Sequence, residues 1–254
     1  MPDPDLIRLS QSHLNLLSFC PPKFQRVYID CLASLTAPEQ QESMQWGSRF
    51  HLLMQQRELT LPIEPLLATE PDLDCSLKAL IEAAPELKSS TYIWREAEHC
   101  RTLSQDEFLF TVIYDLLIAE SDQIIILDWK TYRQPMKAKV LRQNWQTRLY
   151  LYVLAETSEY QPEQIQMTYW FVKSGQPSRV AINYSQSEHQ QTKQELELLL
   201  TDLQQWLYNY QELQIDFPHR SNCEQKCPFY QDLGLQEAEL EILTPIDEIE
   251  EVEI

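Results

Sequence analysis

Residues 123–131 read Q-I-I-I-L-D-W-K-T, and no other stretch limits the fold as strongly. Four consecutive apolar residues, 124–127, with no alternation, suit a strand buried on both faces. That run closes on Asp128 and Lys130, separated by Trp129. Side chains two apart in a strand point the same way, so the two charges project together. The preceding apolar segment, residues 108–118, holds one acid, Asp115, and a hairpin-like E-S-D at 120–122 joins the two. Asp115 is therefore expected beside Asp128.

Around this centre, hydrophobic periodicity predicts helices over 10–30 (broken near Pro21-Pro22), 38–56 and 73–84. Strands are predicted over 91–98, 107–118 and 123–130, then one long helix over 138–156. Strands over 164–173 and 178–184 and a closing helix over 188–212 complete the order. That order makes an α/β fold around a mixed sheet. The chain is long enough, at 254 residues, for one large domain or a core with an attached lobe.

Composition narrows the chemistry. The three glycines are Gly47, Gly175 and Gly234. They are too far apart for a Rossmann or P-loop phosphate turn, so no nucleotide cofactor is expected. The opening M-P-D-P-D has no apolar stretch after it, and no segment approaches the roughly 18 apolar residues of a membrane span. A cytoplasmic protein without a membrane partner is the expectation. Six cysteines without a secretory signal then read as reduced thiols or metal ligands.

Charge is unevenly placed. The net charge is −19, yet residues 129–155 contain no acid and six bases: Lys130, Arg133, Lys137, Lys139, Arg142 and Arg148. A basic island in an acidic chain suggests that an anionic ligand meets the protein there. Residues 236–254 hold eight acids and no base, the composition of a disordered tail. Such a tail could lie across the basic island and mask it.

Two carboxylates and a lysine at the end of a buried sheet need compensation. A strand-end ion pair is one solution. A hard divalent cation on the carboxylates, with lysine facing an anionic oxygen, is another, and phosphodiester hydrolysis needs that set.

The order of motifs resembles the PD-(D/E)XK nuclease superfamily, particularly RecB-type nuclease domains and CRISPR-associated single-strand exonucleases. Ser10, Ser12, Leu14, Leu17, Cys20, Pro21 and Phe24 match its opening Ser-x-Ser-x-x-Leu helix and Cys-Pro-x-x-Phe. Gly47 and His51 match Gly-x-x-x-His. Asp115 matches its strand-ending Asp, Asp128, Lys130 and Thr131 its Asp-x-Lys-Thr, and Gln146 and Tyr150 its helical Gln-x-x-x-Tyr. The likeness spans about residues 10–230.

The resemblance implies a restriction-endonuclease-like mixed central sheet flanked by helices. It would form a nuclease-like domain over 1–235: a helical part at 10–90, a core at 91–212 and a cysteine-containing segment at 213–235. It implies a deoxyribonuclease, of exonuclease type, in DNA repair or recombination. Mg²⁺ or Mn²⁺ would be held by His51, Asp115, Asp128 and the carbonyl of Trp129. Lys130 would orient the attacking water, with Gln146 and Tyr150 supporting it or positioning DNA, and Glu96 is a candidate further acid. Arg133, Lys137, Lys139 and Arg142 would contact phosphates of single- or double-stranded DNA. A helicase or other repair protein would supply unwinding. Many relatives hold an iron–sulfur cluster on four cysteines. Here Cys20, Cys223 and Cys227 remain, so the set reads as a decayed cluster site, or with His219 as a Cys-three-His site. The rival functions are a nuclease-fold module that binds DNA or protein without cutting, and a metal-cluster structural protein.

Overall fold

The computed structural model describes residues 6–32, 38–132, 135–173 and 176–220. Its centre is a six-stranded mixed sheet. The strands are β1 (Ile7–Leu9), β2 (Trp94–Gln105), β3 (Phe108–Ala119), β4 (Ile124–Lys130), β5 (Ile165–Phe171) and β6 (Ser178–Asn183). β2 pairs antiparallel along the whole of β3, and β4 with β5 is parallel over its full length. β6 closes the far side antiparallel to β5.

Helices cover both faces. Lying against one face are α1 (Gln11–Phe19), the short α2 (Pro21–Phe24), α7 (Trp145–Glu156) and α8 (Gln186–Leu213). The other face carries α3 (Pro38–Glu58) and α5 (Pro71–Ala83), with α4 (Glu64–Leu67) between them in sequence. α6 (Ala138–Gln143) leads into α7. Residues of β4 serve the two cores alternately. Ile124 and Ile126 enter the α7 side, while Ile125, Leu127 and Trp129 enter the α3 side. That is why its sequence is apolar without alternation.

Two expectations need correction, and one strand was not foreseen. The helix over 138–156 is two helices, because Asn144 leaves the helical region (ψ 139°) and caps α7 by accepting from the Gln146 backbone N–H. Asn15 of α1 donates to the same Asn144 oxygen at 3.0 Å, fixing the break from outside. The strand placed at 91–98 runs instead from Trp94 to Gln105. It is an edge strand rich in charge, which hides its pattern. The three-residue β1 has too few residues to show a period.

Leu14 and Leu17 of α1 are fully buried. Pro21 and Pro22 open α2, where a missing N–H costs nothing. Phe24 then stacks on Phe217, and Gln25 accepts from the Phe217 N–H at 2.7 Å. The chain after α8 is thereby tied back to α1–α2. Among the described residues no helix is long and apolar enough to cross a membrane.

Candidate active site

The site forms where β3 and β4 part. Their ladder covers only Leu116–Leu127 to Ala119–Ile124. Beyond it β4 stays with β5, and β1 takes the same edge of β3 at Phe108, Leu109 and Phe110. Asp115 and Asp128 each lie one residue past the last pair, at the fork. Asp115 Oδ2 accepts the Trp129 backbone N–H at 2.6 Å, standing in for the lost ladder bond.

From the α3 side comes His51. Its Nδ1 lies 3.2 Å from Asp115 Oδ1, and its Nε2 lies 3.0 Å from the Trp129 carbonyl oxygen. Both partners are acceptors, so the ring satisfies both only when it carries two protons. Burial opposes that charge, but Asp115, with Asp128 and Glu98 beyond it, outweighs burial and raises the His51 pKa to about 9. α3 can approach this closely because of Gly47, where a Cβ would stand 2.9 Å from Thr131 Oγ1.

The α7 side supplies the second cluster. Lys130 Nζ lies 3.0 Å from Asp128 Oδ1 and donates to Gln146 Oε1 at 2.7 Å, while Gln146 Nε2 donates to Asp128 Oδ2 at 2.9 Å. The three side chains close a ring. The Tyr169 face lies 5.4 Å below the ammonium. Burial pushes the Asp128 carboxyl above the ordinary carboxylate range; Lys130 opposes this and Asp115 adds to it. Tyr150, one turn beyond Gln146, is buried with its ring edge-on to Tyr114, whose hydroxyl donates to the Tyr150 carbonyl at 3.0 Å.

Thus the fold brings together His51, Asp115, Asp128, the Trp129 carbonyl, Lys130 and Gln146. Lys137 and Lys139 are exposed at the start of α6. Arg142 is engaged with Glu188 at 2.7 Å across to α8. Arg133 lies outside the described residues, as do Cys223, Cys227 and the acidic tail. Cys20 is buried at the α1–α2 junction. Residues 217–220 pass the same end of the fold, with Arg220 reaching the Leu17 carbonyl, so His219 arrives near that junction.

One acid escaped the sequence reading. Glu96, the candidate there, is exposed and pairs with His99 at 2.8 Å. Glu98 instead faces the fork: His51, Glu98 and Asp115 each bring a ligand atom within 4.8 Å of the others. Burial first, then Asp115, raise the Glu98 pKa to about 7, with His51 opposing. An imidazole nitrogen with carboxylate oxygens fits a divalent cation.

Carboxylates and a histidine that could hold a cation, with a lysine fixed beside them at a strand fork, are the site residues that a nuclease of the restriction-endonuclease-like fold would need. The chain belongs to the PD-(D/E)XK nuclease superfamily, whose model matches residues 8–231. A solved structure from Eubacterium rectale, of a protein proposed to be an exonuclease, shares the fold with a TM-score of 0.53. It is 11% identical, over 92% of this chain and 91% of its own. The solved protein SSO0001 aligns over 81% of this chain and 78% of its own at 12% identity, with a TM-score of 0.36, too low to bear on the fold. No curated protein matches the chain.

Proposed function

We propose that the protein is an Mg²⁺- or Mn²⁺-dependent deoxyribonuclease that hydrolyses DNA phosphodiester bonds from an end, in repair or recombination. The observation that carries this reading is the Lys130 ammonium held between Asp128 and Gln146, beside the His51–Asp115 pair. His51, Asp115, Asp128 and the Trp129 carbonyl would hold the cation. Bound there, a divalent cation lowers the pKa of a water and draws charge from phosphoryl oxygens.

The side chains of this chain do the rest. Lys130 offers an ammonium whose position is fixed before substrate arrives, so its attraction for a developing oxyanion needs little reorganisation. Gln146 sets that position by accepting from Lys130 while donating to Asp128. Tyr150 packs behind Gln146 against Tyr114 and holds α7 to β3. Exposed Lys137 and Lys139 contact the DNA backbone, which gives affinity without sequence preference.

The test is digestion of single- and double-stranded DNA labelled at either end, with Mg²⁺, Mn²⁺ or EDTA. The reading expects metal-dependent cutting, with mononucleotides or short fragments released from one end. A random internal ladder would replace exonuclease by endonuclease. Measurable DNA binding with no cutting in either metal would leave a binding module instead.

A further inference from the structure

We infer that Glu98 is a protein ligand of the divalent cation, and that the left-handed backbone of β2 at this residue is retained because it aims the carboxylate at His51 and Asp115. This rests on the functional reading above and adds a residue which that reading does not require.

Glu98 has φ 52°. Five described non-glycine residues have such a backbone; Cys31, Thr60, Asp106 and Gln214 lie at turns or helix ends, and Glu98 alone lies inside a strand. The conformation is not forced by an inserted residue. Ala97 pairs with Leu116 and His99 with Tyr114, so Glu98 stands opposite Asp115 with the register unbroken on either side.

The consequence is a matched slip of face in both strands. Phe108, Phe110, Val112 and Tyr114 enter the α7-side core, but beyond Asp115 it is Leu117 and Ala119 that do so, and Leu116 and Ile118 enter the α3 side. In β2, His99 stacks on Tyr114 and pairs with Glu96, so these follow the α7 side. Ala97 packs on the α3 side. Without the left-handed residue, Glu98 would share a face with Glu96. With it, Glu98 joins His51 and Asp115, its ligand atom within 4.8 Å of theirs.

Three costs meet at this position: a left-handed backbone on a residue with a Cβ, a partly buried carboxylate and a second carboxylate nearby. Among the described residues no hydrogen bond or ion pair engages the Glu98 carboxylate. Strain of this kind persists where function holds it. A divalent cation between the three side chains offsets the two electrostatic costs at once.

The test is calorimetric titration of the full-length protein with MnCl₂, without DNA, alongside thermal melting with and without Mn²⁺. Glu98→Gln is expected to weaken Mn²⁺ binding by about tenfold or more, as losing a ligand should exceed the loss of an outer-sphere partner. Glu98→Gly keeps the backbone and removes the carboxylate. It should melt higher than wild type without metal and show less of the Mn²⁺-dependent rise, which also covers misfolding of the first variant. Glu96→Gln should bind Mn²⁺ as wild type does. If wild type binds Mn²⁺ and cuts DNA while both Glu98 variants bind Mn²⁺ unchanged, Glu98 is a bystander and the inference falls alone. If wild type neither binds Mn²⁺ nor cuts DNA, the functional reading falls and the inference with it.

Discussion

Replacing Gly47 by alanine separates the stability of α3 from its placement. In an exposed helix interior the change would stabilise by about 1 kcal/mol, because alanine has the better helix propensity. Here the added methyl would meet Thr131 Oγ1 at 2.9 Å, with Thr131 Cβ at 3.7 Å and Cγ2 at 3.9 Å. The overlap is confined to one atom, on the residue that directly follows Lys130. Overpacking of this kind costs about 1–3 kcal/mol. The net expectation is a loss of about 0–2 kcal/mol, small enough for the variant to fold. The larger effect is geometric. If α3 yields by a few tenths of an ångström, His51, one turn on, moves off Asp115 and the Trp129 carbonyl. A displacement of about 1 Å can cost on the order of 100-fold in rate, so roughly tenfold is expected here. Urea unfolding, Mn²⁺ titration and cleavage rate should be measured on Gly47→Ala, Thr131→Ala and the double variant. Removing Oγ1 clears the nearest clash, so the double variant should recover Mn²⁺ affinity that Gly47→Ala loses, a non-additivity diagnostic of contact. A Gly47→Ala protein about 1 kcal/mol more stable, with full Mn²⁺ affinity and rate, would refute the reasoning.

Other consequences are open to direct measurement. Gln146→Ala leaves buried Asp128 Oδ2 without its donor and Lys130 without one acceptor, and should cost about 1–3 kcal/mol in urea unfolding together with a fall in cleavage rate. Asn144→Ala removes the cap of α7 and the acceptor of Asn15, and should cost about 1–2 kcal/mol by the same assay; unchanged stability would mean that the break at Asn144 is not held by these bonds. Mn²⁺ affinity should rise with pH from about 7 to 9, because metal must displace a proton from His51, whose pKa is raised to about 9. Without metal the sign is opposite. The folded pKa lies above the ordinary value of 6.5, so the stabilisation from protonated His51 is complete below that value and is lost as pH rises through about 9. Metal-free melting temperature should therefore fall across that interval, and should do so less in His51→Gln.

The centre of this fold is legible because its physics is local. A strand buried on both faces must be apolar throughout, and an Asp-x-Lys at its end must project to one side; β4 does both. Gln146 and Tyr150 are legible as a helical pair, and so is the approach of Gly47 and His51 along α3. What escaped depends on contacts distant in sequence. The break at Asn144 is set by Asn15, which lies 129 residues away, and nothing in the period of residues 138–156 announces it. The true extent of β2 escaped, though the sequence predicts a strand over 91–98, because an edge strand with one partner is rich in charged residues that hide its pattern. Glu98 escaped for a subtler reason. Strict alternation puts it on the same face as Glu96, and only the left-handed backbone opposite Asp115 separates the two.

The central claim is that Lys130, fixed by Asp128 and Gln146, acts in chemistry at a cation seat that it does not itself build. Single-turnover cleavage of end-labelled DNA by Lys130→Ala, with Mn²⁺ affinity measured on the same preparation, tests it most directly. The account predicts cleavage slower by on the order of 100-fold or more, with Mn²⁺ binding retained. Wild-type cleavage by Lys130→Ala would contradict it.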